Sequence, residues 1–257
     1  MDLGIQGKTA LVTGGSRGLG RQSALALARE GCNVAICARG AEALTQTVVD
    51  LLVMGVHAVG VQADVATSEG TEKAYRETTA ALGPVDVLVN NVGGYTGRDF
   101  ATADDAAWAS TLQLNLFSGI RLIRLCLPTM RQRGWGRIIS IASIFGREYG
   151  GGLTYMTAKA SLIAFSKHLA MEVAGSGVTV NTVAPGSITF PGSNWERFQQ
   201  NNSKEAVDEF VRHNLPMGRF GWPEPIGATV AFLASAHADL ITGDCINVDG
   251  GQSRSLI

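Results

Sequence analysis

The chain has 257 residues, 46% of them hydrophobic and 17% charged, with a net charge of −1. That is an ordinary globular composition in a chain long enough to bury a large core. It excludes the basic excess of a nucleic-acid binder and the like-charged blocks of a tail, and no apolar run is long enough to span a bilayer.

Residues 1–7 have neither a basic start nor an apolar middle and lead straight into an apolar run, so no signal peptide is expected. Strand-like runs follow at 9–12, 33–37, 57–62, 85–90, 137–141, 179–183 and 245–248. Most are short and rich in Val, Ile and Leu without alternation, as strands covered on both faces read. Ala- and Leu-rich segments of helical character, such as SALALARE and AKASLIAFSKHLAMEVA, lie between them. This alternation predicts one α/β domain over 1–257, a doubly wound Rossmann-type sheet of about seven parallel strands with helices on both faces. Only 187–216 breaks the rhythm. It is polar, aromatic and too long for an idle connection. Short helices acting as a substrate lid are expected there, because the segment follows a strand at the carboxyl edge, where ligands bind in this architecture. A surface excursion without a role is the alternative. The four cysteines, Cys32, Cys37, Cys126 and Cys245, lack metal-ligand spacing. Reduced thiols in a cytoplasmic protein are expected, with no metal site.

After the first strand, TGGSRGLG sets Gly14, Gly18 and Gly20 in a G-x-x-x-G-x-G spacing. Glycine permits a tight turn and close backbone approach to a pyrophosphate. The helix N-terminus that follows offers unpaired N–H groups and partial positive charge. The spacing is not the general G-x-G-x-x-G fingerprint, and the turn alone is a weak signal; an apolar strand before it and a helix after it strengthen it. The end of the second strand should read the adenosine ribose. An NAD site usually carries an acid there. This chain has Ala38 and Arg39, its next acid is Glu42, and Arg17 lies inside the glycine turn. Two guanidinium forks suit a 2′-phosphate. NADP(H) is therefore expected to be preferred, with NAD(H) usable; if both arginines are only solvated surface charges, the preference has no basis.

Tyr155 and Lys159 stand four apart in YMTAK, on one face of a helical stretch, and Ser143 ends the strand-like run IISIAS upstream. A phenol, an ammonium and a hydroxyl can then meet at one point. Singly, each residue reads as well as core packing or a snorkelling surface lysine. Together, beside a nicotinamide cofactor, they read as a proton donor for carbonyl/alcohol redox chemistry. A free tyrosine has a pKa of about 10, and lowering it by three units takes about 4 kcal/mol of preference for the phenolate. The Lys159 ammonium is the expected source.

In these motifs the chain resembles the short-chain dehydrogenase/reductase family over nearly its whole length. TGGSRGLG, which contains Ser16 and Leu19, is similar to that family's cofactor turn. Asp64 and Val65 look like its adenine-contacting pair. NNVGG, with Asn91 and Gly93, resembles its N-N-A-G motif with Val92 in place of the usual alanine. Asn115, Ser143, Tyr155 and Lys159 match its catalytic tetrad, and NTVAPGSIT, with Pro185, Gly186, Ile188 and Thr189, looks like the segment that meets the nicotinamide. The resemblance implies that Tyr155 and Lys159 also bind cofactor, Lys159 through the nicotinamide ribose, and that Asn115 holds a water linking Lys159 to solvent. It implies a homotetramer built through the helices carrying Asn115 and Tyr155 and through the C-terminal segment. The Ser143–Tyr155 interval is one residue shorter than is common in the family, a deletion that the glycine-rich loop between them can absorb.

Gly94, Tyr95, Phe145, Tyr149 and Trp195 are the candidate substrate residues, with Arg147, Phe190 and Phe198 beside them. Aromatic and apolar groups with a few polar ones suit a small organic carbonyl compound, although each is equally readable as loop packing. MRQRGWGRIISIAS and ITGDCINVDGG look most like 3-oxoacyl-acyl-carrier-protein reductases. This implies an acyl-carrier protein as a partner, which Arg131 and Arg133 could meet. Ser176 stands where those reductases often carry a basic residue, and Gly134-Trp135-Gly136 is one residue longer than usual. A ketoreductase or dehydrogenase of another small alcohol or ketone therefore stands beside that reading. Both share one expected function, interconversion of a carbonyl and a secondary alcohol by hydride transfer. A silent dinucleotide-binding scaffold would be expected to lack part of the tetrad, and none is missing.

Overall fold

The computed structural model describes residues 2–256; Met1 and Ile257, the outermost positions of the expected domain, lie outside the described residues. All seven expected strands form, with ends shifted by no more than two residues: β1 (Thr9–Thr13), β2 (Asn33–Ala38), β3 (Ala58–Gln62), β4 (Val87–Asn90), β5 (Gly136–Ile141), β6 (Val178–Pro185) and β7 (Cys245–Val248). They make one parallel sheet in the order β3-β2-β1-β4-β5-β6-β7. The helices are α1 (Gly18–Arg29), α2 (Ala41–Val53), α3 (Ser68–Leu82), α4 (Asp105–Leu112), α5 (Ser118–Gln132), α6 (Leu153–Val173), α7 (Asn194–Asn201), α8 (Lys204–Asn214) and α9 (Glu224–Ala234).

The two-residue period of a strand sorts the core into two layers. Ala10, Val12, Val34, Ile36, Val87 and Val89 face one side, where they meet Leu25 and Leu27 of α1 and Ile226, Val230 and Leu233 of α9. Leu11, Ala35, Leu88 and Ile138 face the other, against Leu122, Cys126 and Met130 of α5 and Leu169 and Val173 of α6. Because both faces are covered, the strands have no polar side to alternate with, which is why they read as continuous apolar runs.

Strand order reverses between β1 and β4, and the carboxyl ends of those strands frame a crevice. Asn91 stitches the two ends together. Its backbone N–H donates to Thr13 Oγ1 (2.8 Å), and its Nδ2 donates to the Thr13 carbonyl (2.8 Å). At the far end of the sheet Trp135, in the longer Gly-Trp-Gly turn, lies between Lys8 and Arg137, each cation 4.2 Å from a ring centroid. The segment 187–216 forms α7 and α8, with N-caps Ser193 and Ser203. No residue of either helix is buried. The segment is held instead by its rings. Trp195 packs against Phe198, Phe210 and Phe220 at centroid distances of 5.8, 5.0 and 5.5 Å.

Candidate active site

A cleft of about 1020 Å³ runs along the carboxyl edge of the sheet from the glycine turn to α7 and α8. One end is built by the turn after β1 and the loops after β2 and β3. Ser16, Arg17, Arg39, Asp64 and Val65 line it together, so residues up to about fifty positions apart in the chain converge as expected. Helix α1 begins here without a side-chain cap and without an acid in its first turn, leaving its N-terminal amides for an anion. Among the described residues neither Arg17 nor Arg39 has a carboxylate partner. Gly14 and Leu19 also face the cleft, whereas Gly18 and Gly20 act behind it. Gly18 has φ +54°, and a Cβ there would strike the Phe190 ring. A Cβ at Gly20 would drive into the Gly14 carbonyl oxygen and the Asn91 amide, so this glycine lets α1 close on the turn. These residues fit a dinucleotide, and the free guanidinium pair fits a further phosphate on its adenosine ribose.

Midway along the cleft stand Ser143, Tyr155 and Lys159. Ser143 caps the short 3-10 turn Ile144–Gly146 that follows β5, accepting a hydrogen bond from Phe145 N (3.2 Å). Tyr155 lies in the first turn of α6 and Lys159 one turn on, with Nζ 5.6 Å from the phenol ring centroid. Nζ donates to the last carbonyl of β5, Ile141 O, at 2.8 Å. Lys159 is 2% exposed, and burial pulls its pKa down to about 8. Burial likewise pushes the Tyr155 phenol up, the Ser143 hydrogen bond opposes it and the Tyr95 phenol adds to it. The sequence-based expectation that Lys159 lowers Tyr155 is not met in the protein by itself. The ammonium turns one donor onto Ile141 O, and among the influences on the phenol its burial dominates.

Asn115 does not line the cleft. It occupies a π-helical turn, Gln113–Phe117, between α4 and α5. Its Nδ2 donates to Gly94 O (2.6 Å) and Thr111 O (2.8 Å), so it braces the loop after β4 from behind. Asn91 and Gly93 of that loop, Pro185 at the end of β6, and Gly186 and Ile188 after it do face the cleft. Thr189 does not. It turns into a smaller cavity beside Gly18, where its hydroxyl accepts from Gln199 Nε2 (3.0 Å), a correction to its expected cofactor contact.

At the far end, Gly94, Tyr95, Phe145, Phe190, Trp195 and Phe198 line the cleft as expected. Tyr149 must be withdrawn, being 95% exposed. Its loop is tied down just before it, with Arg147 donating to Cys245 O and to Asn247 Oδ1 (2.9 Å) and Glu148 accepting from Ser253 and Arg254. The Phe145 ring fills the space beneath Gly150 and Gly151, so residue 149 points out. Arg147 is likewise a clamp on β7 and not a cleft residue. Arg98, Leu114, Asn194 and Phe210 line the cleft and were missed. Arg98 offered a signal, being a cation in a polar loop just beyond a strand's carboxyl end. Of the two arginines read as carrier contacts, Arg133 is drawn onto Asp86 (2.7 Å) and Arg131 stays exposed.

A family model described as short chain dehydrogenase matches residues 8–202. The chain belongs to the short-chain dehydrogenase family. As a short-chain dehydrogenase it is an oxidoreductase acting on the CH–OH/C=O pair. It is 39% identical to nodulation protein G of Azospirillum brasilense over 95% of this chain and 97% of that one. It is 37% identical to the 3-oxoacyl-acyl-carrier-protein reductase of Escherichia coli, covering 97% and 99%. Among solved structures, the L-sorbose reductase of Gluconobacter frateurii complexed with NADPH and L-sorbose superposes with a TM-score of 0.93, at 34% identity over the whole of both chains.

Proposed function

We propose that this short-chain dehydrogenase is an NADP(H)-dependent ketoreductase whose first candidate substrates are 3-oxoacyl thioesters. The observation that carries the reading is the convergence of Ser143, Tyr155 and Lys159 on a cleft whose other end holds two arginines with no carboxylate partner among the described residues. The glycine turn and α1 N-terminus would hold the pyrophosphate, Arg17 and Arg39 the 2′-phosphate, Asp64 and Val65 the adenine, and Lys159 the nicotinamide ribose. When bound, the nicotinamide supplies or accepts the hydride. Ser143 donates a hydrogen bond to the substrate oxygen and fixes its direction. Tyr155, a phenol protonated at neutrality and pushed further up by burial, gives the carbonyl oxygen its proton in reduction and takes it back in oxidation. Asn115 keeps the 93–94 backbone against the cofactor side of the cleft. The segment 187–216 closes the substrate end as a lid on one domain.

NADP(H) is favoured by the arginine pair and by the NADPH in the sorbose reductase complex. Thioester substrates are favoured by the carrier-protein reductases among the relatives and by the aromatic lining. A ketose reductase is the second reading, favoured by the full-length match to sorbose reductase. The four cysteines, none of them in a disulfide, support a reducing cytoplasm. A homotetramer is supported by exposed apolar side chains on the elements that the family resemblance puts at its interfaces, Phe117 just before α5 and Met171 on α6. The test is oxidation of NADPH, with NADH in parallel, across acetoacetyl thioesters, cyclic ketones, quinones and ketoses. Turnover of ketoses alone would replace the thioester reading, and turnover of none would remove both.

A further inference from the structure

Arg98 stands at the substrate end of the cleft, well along the chain from the cofactor arginines. Among the described residues, five charged side chains line the cleft. Arg17, Arg39 and Asp64 belong to the adenosine end, which leaves Arg98 and Lys159, and no acid among the described residues, at the substrate end. Lys159 donates to Ile141 O and, in the proposed function, to the nicotinamide ribose. Asp99, the acid next to Arg98, is turned into a local bend, its Oδ1 accepting from Thr102 N and Thr102 Oγ1 (both 3.1 Å). Arg98 has no carboxylate partner among the described residues.

The loop that presents Arg98 is bolted to the helix that presents Tyr155. The N–H of Leu153 donates to Arg98 O (2.8 Å), and Thr154 Oγ1 donates to Thr96 O (2.6 Å) and Gly97 O (3.2 Å). Thr154 is fully buried and stands immediately before Tyr155. Three successive carbonyls, 96 to 98, are thus held by the two residues that precede the phenol, so the cation's backbone is in fixed register with the proton donor. Such a register has a use where one substrate molecule must reach both groups. The walls between them, Tyr95, Phe145, Trp195 and Phe198, are aromatic and provide no other charge.

We infer that Arg98 reads an anionic group at the end of the substrate remote from its carbonyl, so that the preferred substrates are ketones with an apolar middle and a carboxylate or phosphate at the far end. A guanidinium fork is suited to either anion. The inference rests on the reductase reading above. It departs from that reading in making the charge, and not the thioester, the feature that is selected.

The test compares kcat/KM within two pairs that differ only in charge: a medium-chain oxo acid with its carboxylate remote from the ketone and that acid's methyl ester, and acetoacetyl-4′-phosphopantetheine and acetoacetyl-pantetheine. The anionic member should be favoured about 10-fold in at least one pair, at the low end of a charge-assisted bond because Arg98 is exposed. Which pair responds tells a substrate carboxylate from a carrier-arm phosphate. In Arg98→Gln the anionic-to-neutral ratio should fall to about one, and Arg98→Lys should recover part of it. Binding is read independently by intrinsic tryptophan fluorescence, through Trp195, on titrating the protein with the corresponding hydroxy acid and its ester. Equal efficiencies and equal binding within both pairs, or a preference that survives Arg98→Gln, overturn the inference. Absence of all turnover with selective, Arg98-dependent binding of the acid would instead overturn the reductase reading and leave the anion site standing.

Discussion

Lys159 is costly for this protein to keep. Its ordinary pKa of 10.5 falls to about 8 because the folded chain surrounds the ammonium with dense protein and gives it a single carbonyl partner. Above 10.5 the amine is neutral whether folded or not, and its burial is free of this penalty. As pH falls through 8 the folded state must carry a buried charge, and that stability is lost. Lys159→Met should therefore be inactive yet more stable than wild type at pH 7, by at most about 3 kcal/mol less the lost bond to Ile141 O. The gain should shrink as the pH approaches 10. Urea unfolding at both pH values checks this, and a variant less stable at pH 7 would make the ammonium a net structural bond. The tyrosine–lysine pair was legible because residues four apart on a helix must share a face. The direction of their pKa values was not, since it depends on how much protein covers them and on the Ile141 carbonyl, and neither is written in the local sequence. Tyr149 was misread for a related reason. An aromatic residue near the tetrad looks like a pocket wall until Arg147, Glu148 and Phe145 are seen to turn it outward.

At the scale of elements, the strands were legible because a parallel sheet covered on both faces writes itself as short apolar runs. The π-helical turn at Asn115 was not, because its sequence, QLNLF, is also compatible with an ordinary helix. Such turns recur at functional sites, and here the wider turn lets the Asn115 amide reach Gly94 O and Thr111 O together. The junction of β1, the glycine turn and α1 gives the sharpest test of element packing. Gly20→Ala would set a methyl group against the Gly14 carbonyl and the Asn91 amide, two groups fixed by backbone and by bonds to β1. A loss of about 2 kcal/mol or more in urea unfolding is expected, with weakened NADPH binding. Wild-type stability in that variant would mean the turn is looser than its contacts imply.

For the whole molecule, one sheet with a single strand-order reversal brings the glycine turn and the segment 187–216 to the same edge, so the cofactor and substrate of the proposed function would share one cleft. The order of motifs along the sequence made that architecture legible. The assembly is less so, because the exposed side chains of Phe117 and Met171 lie far apart in the sequence and gather meaning only as a surface. Sedimentation velocity at micromolar concentration should give a tetramer, and a monomer there would remove the proposed interfaces.

The account rests above all on the Tyr155 hydroxyl as the group that moves the proton. Tyr155→Phe removes one oxygen from a ring that stays packed beside Tyr95, with centroids 5.4 Å apart in the wild type. Turnover of the best ketone by this variant, followed as NADPH oxidation, should fall by about 10²- to 10⁴-fold, while NADPH binding measured by fluorescence stays within a few-fold of wild type. Turnover close to wild type in a variant that still binds NADPH would contradict it.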